Sequence, residues 1–135
     1  MEYICHKRFR GESLGCGAVN IPYGSRFNTI GNFIATGSGQ AIVSTSSLNC
    51  YRHFARNDDG QGLRRGKLTY AIAYKNRQGK GGYRFSDDEI RMLKRDYCKF
   101  LQETETILFN HDFFNAEVSE LEELAKKLNI KVRGD

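Results

Sequence analysis

The chain has 135 residues, 39% of them hydrophobic and 12% aromatic, with a formal net charge of +5. This composition excludes a disordered polyanion-like chain and suffices for one domain with a real hydrophobic core. No apolar run approaches the roughly 20 residues that cross a bilayer, and the opening Met-Glu-Tyr-Ile-Cys-His-Lys-Arg-Phe lacks a basic-then-apolar leader. A soluble, cytoplasmic protein without a membrane partner is therefore expected.

The charge is unevenly placed. Residues 1–86 hold thirteen Lys/Arg against four Asp/Glu, whereas residues 87–135 hold eight against twelve. A basic first part followed by an acidic tail points to polyanions as partners of the first.

The first fifty residues read as short strands. Tyr3–Phe9, Leu14–Ile21, Arg26–Ile30, Asn32–Thr36 and Gln40–Thr45 are β-branched or aromatic runs. Gly11, Gly24, Gly31 and Gly37-Ser38-Gly39 break them where turns are needed. Ile30-Gly31-Asn32 and Thr36–Gly39 have the form of tight hairpin connections. Five such strands suit a small antiparallel barrel-like sheet of SH3-like type, which limits exposed edges by curling on itself.

From Ser46 the apolar spacing becomes helical. Ser46 or Ser47 can cap a short helix reaching Phe54, and Leu63–Asn76 places Leu68, Ala71 and Ile72 on one face. Ser86-Asp87-Asp88-Glu89 is a capping box opening a further helix. Ile90, Leu93, Tyr97, Phe100, Leu101, Thr104, Ile107 and Leu108 then recur at three- and four-residue spacing, predicting one long helix. A last helix is predicted over about Ala116 to Leu128, with Val118, Leu121, Leu124, Ala125 and Leu128 inward. Phe113 and Phe114 in the link between these helices are expected to plug the core. The fold class expected is thus α+β: a β-rich subdomain over residues 1–56, and three to four helices over residues 57–135 packed on it.

Between the halves lies His53-Phe-Ala-Arg-Asn-Asp-Asp-Gly-Gln-Gly-Leu-Arg-Arg-Gly-Lys67. Asn57, Asp58, Asp59 and Gly60 form a strong turn signal, because Asx side chains bond backbone amides ahead of them and glycine accepts positive φ. Gln61-Gly62 then opens a helix whose first turns carry Arg64, Arg65 and Lys67. Backbone donors at a helix start, with flexible glycines, are a candidate phosphate seat. The competing reading is a capped turn whose carboxylates pair with neighbouring arginines. Walker and EF-hand spacings are both absent. A second basic loop, Arg77–Arg84, places Tyr83 beside Arg84 and Phe85, the cation-plus-aromatic mixture that single-stranded nucleic acid or a base would use.

Specific chemistries find less support. Cys50 and His53 stand three apart, and Cys5, His6 or Cys16 would have to complete a metal site; that spacing matches no structural zinc pattern, so buried cysteines acting as small hydrophobes are expected. His53, Asp58, Asp59, His111 and Asp112 could supply a metal-dependent nuclease only by a juxtaposition that no motif predicts. No cofactor or metal is assigned.

Tyr3-Ile-Cys-His-Lys-Arg-Phe9, His53-Phe-Ala-Arg-Asn-Asp-Asp-Gly60 and Asn110-His-Asp-Phe-Phe-Asn-Ala116 together resemble small accessory proteins of phages and prophages in Gram-positive bacteria. The resemblance carries over no catalytic residue. It implies action in the host cytoplasm by binding rather than by catalysis. The expectation is therefore a non-enzymatic protein binding nucleic acid or a nucleotide through Arg52, Arg56, Arg64, Arg65 and Lys67, with Tyr83 and Arg84 as further candidates. Asn57, Asp58, Asp59, Gly60 and Gly62 would shape the loop. The alternatives are an inhibitor that binds a host anti-phage defence protein or sequesters its nucleotide signal, and the metal-dependent nuclease. A homo-oligomer is compatible with each.

Overall fold

A computed structural model describes residues 1–13, 17–75, 85–93, 97–101, 103 and 106–132. The chain is α+β and divides into two compact units, Met1–Gly66 and Lys67–Asp135.

The first unit is built on an antiparallel sheet. Strands β1 (Glu2–Cys5), β4 (Arg26–Ile30), β5 (Phe33–Ala35), β6 (Ala41–Ser44) and β7 (Phe54–Arg56) are ordered β6-β5-β4-β1-β7. Strands β2 (Phe9–Ser13) and β3 (Gly17–Ile21) form a separate hairpin, pairing Phe9 with Ile21 and Ser13 with Gly17. The turns fall at the predicted glycines except Gly11, which lies within β2 opposite Val19. Gly31 and Asn32 connect Ile30 to its partner Phe33, and Gly31 has a φ of 58°, the positive value needed at the first central position of a type II′ turn. Thr36–Gly39 closes β5 onto β6 through bonds from Gly39 N to Thr36 O and from Thr36 N to Gln40 O.

One expected strand is cut in two. Tyr3–Phe9 was predicted continuous, but β1 stops at Cys5, because the next amides leave the ladder: His6 N and Lys7 N both donate to His53 O. The reverse holds at Phe54–Arg56, which the sequence placed in a helix end and loop. There the chain extends and pairs with β1, Phe54 opposite Cys5 and Arg56 opposite Tyr3. Burial explains this, since Phe54 is fully enclosed among Tyr3, Cys5, Phe9, Ile21, Ile34, Ile42, Val43 and Cys50. Its ring meets Phe9 at 5.8 Å and, edge-on, Phe27 at 6.0 Å. The preceding helix α1 (Leu48–His53) ends one residue short of the expected Phe54.

Helix α2 (Gly62–Ala73) matches the predicted Leu63–Asn76 segment closely. In the second unit α3 (Asp87–Leu93) starts with the predicted capping box: Ser86 N donates to Glu89 Oε1 and Glu89 N to Ser86 Oγ. The other oxygen of Glu89 accepts from Lys75 Nζ at 2.5 Å; Lys75 also donates to Leu128 O and lies over the Phe85 ring. A buried ammonium is tolerable only with this many partners.

The predicted long helix is incorrect from Cys98 onward. Strands β8 (Cys98–Leu101) and β9 (Thr106–Phe109) form an antiparallel hairpin instead, Phe100 facing Ile107. Along β9 burial alternates, with Ile107 and Phe109 inside and Leu108 outside, the period of a strand rather than a helix. Helix α4 (His111–Phe114) follows, capped by Asn110, whose Oδ1 accepts from Phe113 N. Phe113 and Phe114 are buried and form a cluster with Phe109, ring centroids 4.5 to 6.4 Å apart. Helix α5 (Val118–Lys127) buries Val118, Leu121 and Ala125 as its spacing predicted. Five helices are present among the described residues; the four-residue α4 is too short to stand out in sequence. None is long and apolar enough to cross a membrane.

Candidate anion-binding surface

The Asx-glycine segment folds as a turn locked to the first strand. Asn57 N donates to Glu2 O, Asn57 Nδ2 to Glu2 Oε1, and Glu2 N to Asp58 Oδ1 at 2.8 Å. Gly60 N closes the turn on Asn57 O, with Gly60 at a φ of 73°. The helix start is then capped by the turn itself. Gln61 N donates to Asp59 Oδ1 and Gly62 N to Asn57 Oδ1, at 3.0 and 2.9 Å. These are amides that a phosphate would have needed. They are already taken by two of the residues expected to shape the loop.

Arg65 departs further from expectation. It was expected among the anion-binding cations, but its side chain is 0% exposed and pairs with Asp59 through both terminal guanidinium nitrogens. Nη1 also donates to Arg56 O at 2.6 Å. The Arg65 hydrogen bonds hold the Asp59 carboxyl well below the usual carboxylate range, against the opposing effect of burial. Arg65 thus holds the β7-to-α2 connection together and offers no guanidinium to a ligand. Arg52, Arg56 and Arg64 are half-buried, and Lys67 on α2 is exposed. Tyr83 and Arg84, with the rest of the second basic loop, lie outside the described residues.

Two glycines seat the start of α2 on β1. A Cβ on Gly62 would come within 2.4 Å of Ile4 Cγ2, and one on Gly66 within 2.2 Å of His6 Cγ. The Gly62-Leu-Arg-Arg-Gly66 spacing is therefore a contact stripe facing Ile4 on β1 and His6 just past its end. Alanine at a helical glycine ordinarily stabilises by about 1 kcal/mol. Here Gly66→Ala should instead destabilise by about 1–3 kcal/mol, the cost of overpacking, as read from urea midpoints. A gain in stability would show that the helix is not seated on His6.

The sequence candidates did not include Lys7 and Arg8, which the fold brings beside His53. Lys7 and Arg8 form the turn between β1 and β2, and both their carbonyls lie 3.1 Å from His53 Nδ1. Arg52 precedes His53 at the end of α1. Burial lowers the His53 pKa, and the positive charges of Lys7 and Arg52 lower it further. Lys7 and Arg8 are exposed, and Arg8 Nε donates to Asn20 Oδ1 on the β2–β3 hairpin. The signal was present as His6-Lys7-Arg8 at a strand end; only the fold shows that it meets Arg52-His53.

The cysteines behave as packing. Cys5 and Cys50 are fully buried; burial raises the Cys5 thiol and pushes Cys50 up to about 12. Cys5 Sγ donates to Lys7 O. Among the described residues no three His, Cys, Asp or Glu side chains gather as metal ligands; Cys16 lies outside them. Comparison with protein-family models, curated proteins and solved structures returns no match.

Proposed function

We propose that this is a non-enzymatic accessory protein that binds a polyanion, nucleic acid or a nucleotide, through the cationic surface of its first unit. The observation that carries this reading is the disposition of charge in Met1–Gly66. Eight Lys/Arg face only four Asp/Glu there. Of the four, Asp59 is bound to Arg65, Glu2 to Asn57 and Asp58 to the Glu2 amide. Lys7, Arg8 and Arg10 are exposed, and Arg52, Arg56 and Arg64 are partly so. A surface in which acids serve internal bonds while cations reach solvent attracts phosphates. The reading takes the curled five-stranded sheet as an SH3-like half-barrel, which the β4-β5-β6 meander supports.

The test is fluorescence anisotropy with a labelled single-stranded oligonucleotide and, separately, a labelled mononucleotide. Affinity for the oligonucleotide should fall linearly on a log–log plot between about 50 and 200 mM salt. Arg56→Glu with Arg64→Glu should weaken it and reduce the slope by about 2. No binding at low salt, or affinity indifferent to salt, would overturn the proposal.

A further inference from the structure

We infer that the β1–β2 turn and the end of α1 form a phosphate-binding subsite, in which Lys7, Arg8 and Arg52 supply charge and His53 donates a hydrogen bond after taking up a proton. The inference rests on the polyanion reading of this unit and locates its anchoring point.

The geometry fixes which nitrogen does this. Lys7 O and Arg8 O both approach Nδ1 of His53, and a carbonyl can only accept. Nδ1 therefore carries hydrogen in both charge states, so only Nε2 changes. No hydrogen bond to Nε2 is found among the described residues. Phe9 packs edge-on against the ring at 5.1 Å, fixing its plane, while the residue keeps partial exposure. His53 is thus oriented by one nitrogen and open to chemistry at the other.

The surrounding charges decide what that chemistry is. Lys7 and Arg8 come from the β1–β2 turn, Arg52 from α1, and His6 sits beside them at the end of β1. Of the unit's carboxylates, Glu2, Asp58 and Asp59 are engaged at the Asx-glycine turn, and Glu12 lies on β2 opposite Ala18. Without an anion, burial of the ring disfavours the imidazolium, and the charges of Lys7 and Arg52 add to this. A phosphate oxyanion placed among them cancels their field, and a proton from solvent then adds to Nε2, turning it into a donor toward the anion. No covalent bond to phosphorus forms or breaks. Anion binding and proton binding must strengthen one another equally.

The experiment measures affinity of the full chain for a short oligothymidylate, whose phosphodiesters do not titrate near neutrality, and for inorganic sulfate at matched ionic strength. Each is measured at pH 7.5 and at pH 5.5, with the His53 ring followed by NMR. Affinity for the oligonucleotide should rise about tenfold at the lower pH, and the His53 titration should move to higher pH when the ligand is present. His53→Gln should abolish the pH dependence, so that affinity at pH 5.5 no longer exceeds that at pH 7.5. Lys7→Glu with Arg8→Glu, both on exposed side chains, should weaken binding at both pH values. A pH effect on sulfate as well would assign the subsite to single anions, and one on the oligonucleotide alone to the nucleic-acid backbone. Either outcome supports it. If His53→Gln retains the pH dependence, or the Lys7/Arg8 reversal leaves affinity unchanged while the Arg56/Arg64 reversal removes it, the subsite is wrong and the polyanion reading stands. If neither probe binds at either pH, the polyanion reading itself falls.

Discussion

Asp59→Ala should lower the free energy of unfolding by about 3–5 kcal/mol, a loss expected when one partner of a buried ion pair is removed. The reason is the asymmetry of the pair. Arg65 is wholly enclosed, whereas the Asp59 side chain keeps a quarter of its surface exposed. Removing the carboxylate strands a charged guanidinium away from water, with the Arg56 carbonyl still accepting from it. Removing the arginine leaves a carboxylate that can rehydrate, so Arg65→Met should cost distinctly less. Asp59→Asn should fall between alanine and wild type, because one oxygen can still accept from the guanidinium or from Gln61 N. Urea titrations with unchanged m-values would measure all three. A loss under about 1 kcal/mol for Asp59→Ala would mean that the turn is held by Asn57 and Glu2 rather than by the ion pair. The carboxyl is depressed in the folded state, so this stabilisation is complete above the unfolded carboxylate pKa of about 3.9 and disappears as pH falls below it. Wild type should therefore lose more stability than Asp59→Asn in strong acid.

The same pair shows where sequence reading stops. Asn57-Asp58-Asp59-Gly60 announces a turn through local chemistry, and the structure places a positive-φ glycine at Gly60. The capping box at Ser86 and the turn at Gly31-Asn32 were legible for the same reason: each is satisfied within a few residues. Whether Arg65 reaches solvent or Asp59 is a tertiary fact. It depends on β7 pairing with β1, which forms only because Phe54 has a core to enter. The misread segment from Cys98 to Phe109 is a different failure. Phe100, Ile107 and Leu108 fit helical spacing, but Ile107 and Phe109 fit strand spacing equally well, and short apolar runs do not separate the two periods. The approach of Lys7 and Arg8 to Arg52-His53 was not legible because the two segments are over forty positions apart and meet through backbone carbonyls on the His53 ring. No residue-type pattern encodes that contact.

Between pH 6.5 and pH 4 the protein should lose about 3 kcal/mol of stability, in a window distinct from that of Asp59. His6 is the cause. Its ring lies against Gly66, its Nε2 donates to Tyr51 O at 3.0 Å, and burial, with smaller contributions from His53 and Lys7, lowers its pKa to about 4. In an unfolded chain the same imidazole titrates near 6.5. Within this interval the unfolded state holds a proton that the folded state refuses, so acid shifts the equilibrium toward unfolding and stability rises again as pH increases. His53 is shifted in the same direction and adds to the slope. His6→Gln keeps an amide donor for Tyr51 O but cannot titrate. It should lower stability at pH 7.5 yet flatten most of the dependence, and His53→Gln should remove a smaller part. Denaturation midpoints at pH 7.5, 6.0 and 4.5 decide the matter. A wild-type curve flat across this range would mean that the imidazole of His6 accepts its proton in place, and that the packing of α2 against β1 yields to a charge.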